Sequence, residues 1–396
     1  MRIGMMADIY KPHTSGVTSY ISLNKQYLEK QGHEVFVFTF GDPEYQDDEQ
    51  NVIRSPGLPV KKSGVFINVS YSRKAKALLQ TMDIVHVHHP FLSGQLALRY
   101  CKPLCIPIVF TNHTRYDLYI HSYFPRLPEG LGETFLQAYL PSFCRSINLV
   151  ISPSKGMEAV LYNLGVDVPI KVIPNGVDLH TFRKANRPVD RAILRFSDEN
   201  VVLIYMGRIA PEKNLPFLLQ SFSGVAQTYE FVRLLVIGDG PERKAIQNLA
   251  KELKIADKIT FTGMVPYQEL VNYLAIGDAF VTASLTEVHP LSVIEAMSAG
   301  LPILGIASPG IEGTVVDGET GLLSKNDLAG FTARMVKLVT NDELRRGMGH
   351  NARLRAENYA IEKTAPLIME EYERLTSRAL PRLHGIKFQP RSFMER

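Results

Sequence analysis

Short apolar runs alternate with helical periodicity along nearly the whole chain, and this alternation limits the possible folds more than any other feature. The run over residues 2–8 is typical of a buried strand, and the apolar positions after it share one helix face up to Gly32, a usual helix stop. Repeated strand–helix units indicate an α/β fold with mostly parallel sheets. Further strands are predicted at residues 34–39, 84–88, 108–111, 149–152, 170–173, 201–205, 233–237, 259–262, 279–283 and 303–305, with a short one after the turn at 317–321.

The alternation breaks near residues 174–178, and a polar run over residues 180–200 separates it from a second series of strands and helices. A chain of 396 residues also exceeds the roughly 250–300 residues at which single hydrophobic cores stop growing. The sequence therefore predicts two α/β domains, with a ligand in the cleft where the carboxyl ends of both sets of strands meet. The predicted divisions are a first domain over 1–178, a linker over 179–200, a second domain over 201–360, and a last helix with a basic tail over 361–396 that crosses back to the first domain.

Composition and charge exclude several classes of protein. With 45% hydrophobic and 21% charged residues, the chain has the composition of a soluble globular enzyme. No apolar run approaches the roughly 18–20 residues of a membrane span, and Met1 leads directly into a strand, so neither a transmembrane helix nor a signal peptide is expected. A net charge of +4 is too small to indicate nucleic-acid binding. Three cysteines without metal or disulfide spacing suit a reducing cytoplasm: Cys101, Cys105 and Cys144.

Part of the basic charge is clustered in the first domain and at the end of the chain. The clustered side chains are Lys61, Lys62, Arg73, Lys74, Lys76, Arg391 and Arg396. Two interpretations stay open. The cluster is either an ordinary solvated face or a patch for anionic lipid headgroups, which would hold the protein peripherally on the inner face of the cell membrane.

The segment T-E-V-H-P-L-S-V-I-E-A-M-S-A-G-L-P points to a ligand site. Glu287 lies in a loop after an apolar strand, and Glu295 lies in the first turns of a helix, with Pro290 as an early helical residue and Gly300 just past the end. The N-terminus of such a helix offers unpaired N–H groups and positive dipole to an anion, while carboxylates accept hydrogen bonds from hydroxyls. A phosphate between two sets of hydroxyls describes a sugar nucleotide. The alternative is a solvated acidic pair beside an ordinary helix.

Two cations follow an earlier strand in the same half of the chain. Arg208 and Lys213 stand five residues apart across a strand-to-helix turn, from which a guanidinium fork and an ammonium point charge can reach one diphosphate. By themselves they would equally suit a solvated pair. In the first half, Gly16 belongs to a loop that lacks the G-x-G-x-x-G and Walker patterns but allows a ligand to approach the backbone closely.

Histidines follow two strands of the first domain. His113 is interpreted either as a turn residue or as a catalytic side chain that faces the cleft. His86, His88 and His89 resemble a metal-binding set, but neighbouring strand residues point to opposite faces, so a mixture of core and surface positions is predicted. No H-E-x-x-H motif, aspartate cluster or cysteine pair offers a metal site, and no metal or cofactor is expected.

In their order along the chain, these motifs resemble those of retaining glycosyltransferases of family 4, over residues 1–375. The matching elements are Ser15-Gly16-Val17, Gly32-His33-Glu34-Val35, Pro174-Asn175-Gly176-Val177-Asp178, Gly207-Arg208 with Glu212-Lys213-Asn214, Gly238-Asp239-Gly240-Pro241, and the E-x7-E pair that ends in Glu295-Ala296-Met297. The resemblance implies the GT-B fold, in which two Rossmann-like domains face each other across a cleft. The first would bind the acceptor and the second the nucleotide-sugar donor.

The resemblance also implies a role for each motif residue. Arg208 and Lys213 would hold the diphosphate of the donor. Glu295 would accept hydrogen bonds from the ribose hydroxyls, and Glu287 from hydroxyls of the donor sugar. His113 would touch that sugar near the reacting carbon. Further donor contacts are implied at Gly16, where the diphosphate needs room, and at Val265, in the loop after the strand at 259–262 that meets the nucleotide base in the family. The remaining implied contacts are His289, Pro290, Leu291 and Ser292.

One departure from the family concerns the loop after Glu287. The family often has Glu-Gly-Phe-Gly there, whereas this chain has E-V-H-P-L. Because the flexible glycines contact the sugar, the change bears on the choice of donor sugar more than on phosphate binding.

The reaction implied by the resemblance is a front-face transfer that keeps the anomeric configuration and needs no metal. Charge that develops on the leaving diphosphate would be stabilised by Arg208, Lys213 and the helix N-terminus. The leaving oxygen would then take the proton of the acceptor. His113 and Glu287 complete the implied catalytic set.

For the acceptor, the run H-T-R-Y-D-L-Y-I-H that starts at His113 is similar to the H-T-x-Y-x-x-Y-x-H run of bacterial diacylglycerol glucosyltransferases. The similarity implies acceptor contacts at Tyr116, Tyr119 and His121, although Ser122 stands where a tyrosine is usual. The aromatic residues from this run to Phe143 suit either a membrane interface or a core helix that covers the first sheet.

Several functions remain open at this stage. The first is transfer of glucose from UDP-glucose to a lipid hydroxyl such as that of diacylglycerol. The second is transfer of mannose from GDP-mannose to a glycolipid or phosphoinositide-type acceptor. A UDP-sugar epimerase on the same fold and a non-enzymatic binder of sugar nucleotides are the alternatives from other classes. The oligomeric state is not predicted.

Overall fold

A computed structural model describes residues 1–13, 15–59, 66–118 and 131–378, without the side chain of Leu131. Within these ranges, strands and helices alternate as predicted, and two parallel sheets are formed by the two halves of the chain. The predicted α/β class is therefore confirmed. None of the described helices is long and apolar enough to cross a membrane.

The first half of the chain forms a seven-stranded parallel sheet in the order β3-β2-β1-β6-β7-β8-β9, and β4 pairs with β5 in a separate antiparallel ribbon. The central strands β1 and β6 are apolar almost throughout because both of their faces are covered. The strands are β1 (Arg2–Met6), β2 (Glu34–Phe40), β3 (Val52–Ser55), β4 (Leu58–Pro59), β5 (Phe66–Ile67), β6 (Ile84–Val87), β7 (Ile108–Thr111), β8 (Leu149–Ser152) and β9 (Ile170–Val172).

The second half forms a six-stranded parallel sheet in the order β12-β11-β10-β13-β14-β15. Its strands are β10 (Val201–Met206), β11 (Val232–Ile237), β12 (Ile259–Gly263), β13 (Ala279–Thr282), β14 (Ile303–Ile306) and β15 (Gly321–Ser324). The short strand expected after the turn at residues 317–321 is β15.

Helices follow most of the strands and cover the faces of both sheets. Those described are α1 (Gly16–Lys30), α2 (Arg73–Leu79), α3 (Leu92–Tyr100), α4 (Leu131–Arg145), α5 (Lys155–Asn163), α6 (Leu179–Arg183), α7 (Leu215–Thr228), α8 (Arg243–Glu252), α9 (Leu270–Leu274), α10 (Leu291–Ser298), α11 (Leu328–Thr340), α12 (Asp342–Ala356) and α13 (Ile361–Arg378).

The order of the strands in each sheet indicates where a ligand site is expected. In the first sheet β1 lies between β2 and β6, and in the second β10 lies between β11 and β13. At such a switch point the chain leaves neighbouring strands in opposite directions and opens a crevice at their carboxyl ends. The loops after β1 and β10, which lead to Gly16 and Arg208, therefore border the two crevices.

The structure differs from the sequence predictions at a few elements. The strand predicted over residues 2–8 ends at Met6, and Asp8 instead accepts a hydrogen bond from the backbone N–H of Ser93 at 2.7 Å. Strand β3 was not predicted, because Val-Ile-Arg-Ser is partly exposed and gives no apolar run. The ribbon of β4 and β5 is too short to give a pattern.

The last described helix, α13, returns to the first sheet. Its Tyr372 is fully buried in the core that also contains apolar residues of β1 and α1. The two crossings between the halves run side by side, since Val177 N–H donates to Tyr359 O at 2.8 Å and Ile361 N–H donates to Val177 O at 3.0 Å. These paired crossings join the two halves behind the cleft.

Candidate active site

The loop after β10 presents Arg208 at the surface of the cleft. Tyr205, buried at the end of the strand, donates its hydroxyl hydrogen to the backbone oxygen of Arg208 at 2.8 Å. The neighbouring loop packs directly on this one, since a Cβ added to Gly238 would lie 2.1 Å from the oxygen of Gly207. A glycine is therefore required at residue 238, which explains the glycine of the G-D-G-P motif. The Arg208 side chain itself is exposed.

Lys213 and Glu287 form an ion pair between loops that are far apart in sequence. The Nζ of Lys213 lies 2.7 Å from Oε1 of Glu287, and both side chains are mostly buried. Asn214, in the left-handed region at φ 53°, turns the chain after Lys213 and donates its amide to Ala283 O at 3.3 Å. Burial works to raise the pKa of Glu287, but the charge and hydrogen bond of Lys213, with a hydrogen bond from Ser284, lower it overall. The carboxylate is therefore ionised near neutral pH.

Helix α10 begins at Leu291, beside this pair. Pro290 is its N-cap and not an early helical residue, so the prediction was wrong by one position, and no side chain caps the first N–H groups. Gly300 follows the helix in the left-handed region at φ 87°, as predicted. Uncapped N–H groups at Leu291 and Ser292 leave the positive end of the helix available to an anion.

Glu295 lies on the same helix and is 4% exposed. Burial raises its pKa to about 7, and a hydrogen bond with Tyr267 works in the opposite direction. Tyr267 packs edge-on against Phe182, with 5.3 Å between the ring centroids. Val265, from the loop that was expected to meet the base, is partly buried against the core that also holds Ile294. The structure thus brings Val265, Tyr267 and Glu295 into one corner of the second domain.

The first domain touches the same segment across the cleft. Asn175 donates its side-chain amide to His289 O at 3.0 Å, and Ser154 donates its hydroxyl hydrogen to Val288 O at 3.1 Å. The ring of His289 is buried against Tyr359 at 5.0 Å, and burial lowers its pKa to about 3. The backbone between Glu287 and α10 is therefore held from both domains.

The loop after β1 comes close to the basic side of the cleft. Gly16 is the first residue of α1, and Ser15 caps the helix by accepting a hydrogen bond from Thr18 N–H at 3.2 Å. A Cβ added to Gly16 would meet no atom within 4 Å, so the backbone here faces open space. Burial and the positive charge of Arg208 both lower the pKa of His13, which places Arg208 near this loop.

His113 follows β7 and is half-buried. Its Nε2 lies 3.0 Å from Nδ1 of His88, and the ring of Tyr20 packs on it at 4.6 Å. Burial is the main cause that lowers the pKa of His113 well below its ordinary value, so the ring is neutral.

The prediction that His86, His88 and His89 divide between core and surface was wrong. Their exposed fractions are 1%, 0% and 7%. His86 lies on β6, a central strand with both faces covered, and His88 and His89 follow the end of that strand directly. Among the residues that the structure describes, no group of three His, Cys, Asp or Glu side chains is arranged to hold a metal ion.

The three implied acceptor residues are placed differently. Tyr116 is 1% exposed, with its ring edge-on to Phe91 at 5.3 Å, so its side chain belongs to the first core. Tyr119 and His121 lie outside the described residues. The acceptor contacts therefore stay predictions.

Comparisons with known proteins identify the family. Residues 14–181 match the family described as Glycosyltransferase Family 4, and residues 186–355 match Glycosyl transferases group 1. The alpha-monoglucosyldiacylglycerol synthase of Streptococcus pneumoniae (strain ATCC BAA-255 / R6) is 32% identical over 343 residues, which cover 83% of this chain and 77% of that protein. The chain belongs to the family 4 glycosyltransferases. The protein of the same name from Acholeplasma laidlawii is 29% identical over 378 residues, which cover 91% of this glycosyltransferase and 94% of that protein.

A solved structure shares the fold of this glycosyltransferase. The structure of Anabaena Alr3699/HepE in complex with UDP-glucose matches it with a TM-score of 0.75 at 17% identity, covering 94% of this chain and all of the other. At that identity the likeness bears on the fold alone. The fold is GT-B, as the motif resemblance implied.

Sequence reasoning missed several residues that shape the cleft of this glycosyltransferase. Ser154 was not singled out, and Asn175 was named only as part of a matching motif. Both bond to backbone oxygens more than 100 positions away, and no local pattern signals such a contact. Tyr267 follows the loop that was expected to meet the base, which gave a weak positional signal. His88 stood in the H-V-H-H run, which was set aside as a metal-like pattern.

Proposed function

We propose that this glycosyltransferase transfers glucose from UDP-glucose to the hydroxyl of a membrane lipid such as diacylglycerol, with retention of the anomeric configuration and without a metal ion. The observation that carries the proposal is the Lys213–Glu287 pair at 2.7 Å beside the uncapped start of α10. The pair brings a cation from the loop after β10 to a carboxylate that lies just before the positive end of a helix dipole. The two diacylglycerol glucosylating relatives support the choice of donor sugar and acceptor.

The donor lies along the second domain in this proposal. The diphosphate meets Arg208, Lys213 and the N–H groups at the start of α10, and the open backbone at Gly16 gives it room. Glu295 accepts from the ribose hydroxyls, with the base beside Val265. Lys213 has three ammonium hydrogens, so one bond to Glu287 leaves two for phosphate oxygens.

Glu287 accepts hydrogen bonds from hydroxyls of the donor sugar. Its lowered pKa keeps the carboxylate ionised, which suits an acceptor-only partner for hydroxyls. The donor loop here has Val288, His289 and Pro290 in place of the family's glycines, and both domains hold its backbone. A fixed loop suits a single donor sugar better than several.

The transfer step breaks the bond between the anomeric carbon and the diphosphate oxygen. The acceptor oxygen forms its bond on the same face of the sugar, and its proton passes to the leaving phosphate oxygen. Negative charge grows on the diphosphate during this step, where Arg208, Lys213 and the helix dipole stabilise it more in the transition state than in the ground state. His113 contacts the sugar as a neutral ring.

To reach a lipid acceptor, the enzyme must bind at a membrane surface. Arg73, Lys74 and Lys76 are exposed on α2, and the chain just before this helix exposes the apolar side chains Leu58 and Val69, which are 80% and 73% accessible. We call these five residues the basic face; Lys61, Lys62, Arg391 and Arg396 lie outside the described residues. Cations beside exposed apolar groups suit an anionic lipid surface, which attracts about 1 kcal/mol per cation.

The basic face is tested by sedimentation with vesicles that contain anionic lipid. We expect binding at low salt that weakens as salt rises, and a clear loss in the variant Arg73→Glu/Lys74→Glu. Vesicles of neutral lipid are the control. Absence of sedimentation with anionic vesicles at low salt would contradict the membrane part of the proposal.

The reaction is tested with a panel of nucleotide sugars and diacylglycerol in mixed vesicles. The expected product from UDP-glucose is a monoglucosylated diacylglycerol by mass, and proton NMR should show the α-linkage of the donor. A product formed only from GDP-mannose would replace the donor assignment. An inverted linkage would remove the retaining mechanism, and conversion of the UDP-sugar without a new glycolipid would indicate an epimerase.

A further inference from the structure

Behind His113 lies a group of buried rings that the proposed reaction does not use. His88 is fully buried, and its Nδ1 lies 3.0 Å from Nε2 of His113. The ring of His86 packs on His88 at 4.3 Å, and Tyr20 packs on both His88 and His113 at 5.7 and 4.6 Å. Rings packed from several sides can move little, so the His88–His113 contact has a fixed geometry.

His86 is anchored at both ring nitrogens. Its Nε2 lies 2.7 Å from the hydroxyl of Thr111, and its Nδ1 lies 2.5 Å from the hydroxyl of Tyr372 on α13. Both partners are hydroxyls, which can donate or accept as needed. The stack of His86 on His88 is therefore held in place from β7 and from the last helix.

The two histidines share a single hydrogen, and the surroundings decide which ring donates it. If His113 donated from Nε2, a neutral His88 would carry its own proton on Nε2. That atom of His88 is buried and has no hydrogen-bond partner among the described residues. A buried N–H without an acceptor is rarer in proteins than an unsatisfied buried acceptor. If His88 instead carries its proton on Nδ1, its buried Nε2 is an unsatisfied acceptor and no N–H is left without a partner.

We propose that His88 is a positioning residue that donates its Nδ1–H to Nε2 of His113 and so holds His113 as the tautomer protonated at Nδ1. His113 then offers the cleft an N–H donor and has no free basic nitrogen. It can bond to an oxygen of the substrate but cannot accept the proton of the acceptor hydroxyl. Only the identity of that oxygen rests on the proposed function.

The tautomer is measured without substrate. In the full chain labelled with 15N-histidine, the His113 signals are identified by their loss in His113→Asn. We expect Nδ1 protonated and Nε2 unprotonated from pH 6 to 8. The variant His88→Leu should lose this preference, whereas His88→Asn, whose amide can donate from nearly the same place, should keep it. A His113 protonated at Nε2, or one indifferent to His88→Leu, would overturn the proposal.

Kinetics give the second readout. We expect His88→Leu to lower kcat by about 3- to 10-fold, no more than the loss expected when His113 itself is changed, with little change in KM for the donor, and His88→Asn to recover most of the loss. The matched control is Thr320→Val, which removes a buried hydroxyl that accepts from Val316 N–H at 2.9 Å in the second domain, and kcat should not change. Equal kcat in His88→Leu and the wild type would overturn the positioning role. If the tautomer is as expected but the wild type transfers no sugar, the proposed function fails and the inference stands.

Discussion

The two sides of the cleft carry opposite kinds of polar group. The second domain presents permanent charges in the pair Lys213–Glu287, in the exposed Arg208 and at the start of α10. The first domain presents the half-buried His113, with the fully buried His88 behind it, and burial keeps both rings neutral. This contrast indicates where the proposed reaction is expected to develop charge. In the proposed reaction, fixed charges would face the diphosphate, which becomes more negative, whereas neutral groups would face sugar and acceptor hydroxyls, which stay nearly uncharged.

The largest effect is expected from Lys213→Met. The change removes one diphosphate contact and also leaves the buried Glu287 without its cation, so kcat/KM for the donor should fall by about 10³-fold. Initial rates with UDP-glucose measure it. Lys258→Met is the matched control, since Lys258 pairs with Glu230 at 2.9 Å outside the cleft. A loss of kcat/KM below about 10-fold would mean that a group other than Lys213 supplies most of the charge that stabilises the diphosphate.

Glu287→Gln separates sugar binding from nucleotide binding. Turnover should fall by about 10²-fold because the sugar hydroxyls lose an ionised acceptor. The affinity for UDP, which has no sugar at this position, should hardly change. Calorimetric titration with UDP measures the affinity, and initial rates with UDP-glucose measure the turnover. An equal loss of turnover and of UDP affinity would mean that Glu287 supports phosphate binding and not sugar binding.

Glu295 is an exception on the charged side, because its pKa of about 7 leaves its charge dependent on pH. The folded pKa lies above the unfolded value, so the protonated carboxyl contributes stability that is complete below about pH 4.5 and is lost as pH rises through about 7. The loss amounts to about 3 kcal/mol. Glu295→Gln should flatten the fall in unfolding free energy between pH 5 and 8. If the unfolding free energy of wild type and variant falls equally with pH, groups other than Glu295 cause the fall.

On the neutral side the expected effect is smaller. His113→Asn should lower kcat by about 10-fold, and by the same factor at every pH between 5.5 and 8.5. The uniform loss follows because burial lowers the pKa of His113 well below its ordinary value, so a neutral ring acts over the range tested. A pH–rate profile of each protein checks it. An inflection near pH 6.5 that disappears in the variant would show a titrating histidine and break the contrast between the two sides.

The second domain could be predicted further from sequence than the first. Its strands, its glycine turns and the Glu287–Glu295 spacing are local, and each pattern spans fewer than 20 residues. The structure places Glu287 in a loop and Glu295 on a helix that ends before Gly300, as expected. The Lys213–Glu287 contact was not predicted, because it joins residues 74 positions apart.

The first domain depends more on distant contacts. Strand periodicity predicted a mixture of core and surface positions for His86, His88 and His89, but all three are buried. For His86, the cause is the position of β6 inside the sheet and the return of α13, whose Tyr372 contacts its ring. The contacts of Asn175 and Ser154 with the donor loop arise from the closeness of the two domains. A local sequence pattern predicts neither the burial of these histidines nor the contacts between the domains.

In our proposal, Arg208, Lys213 and the start of α10 bind the donor's diphosphate. Calorimetric titration with UDP and with uridine tests it directly, since the two ligands differ only in the diphosphate. We predict that UDP binds at least about 100-fold more tightly than uridine to the wild type, and that Arg208→Ala/Lys213→Ala removes most of this difference while uridine binding is unchanged. Equal affinities for UDP and uridine, or an undiminished preference for UDP in the double variant, would contradict the account.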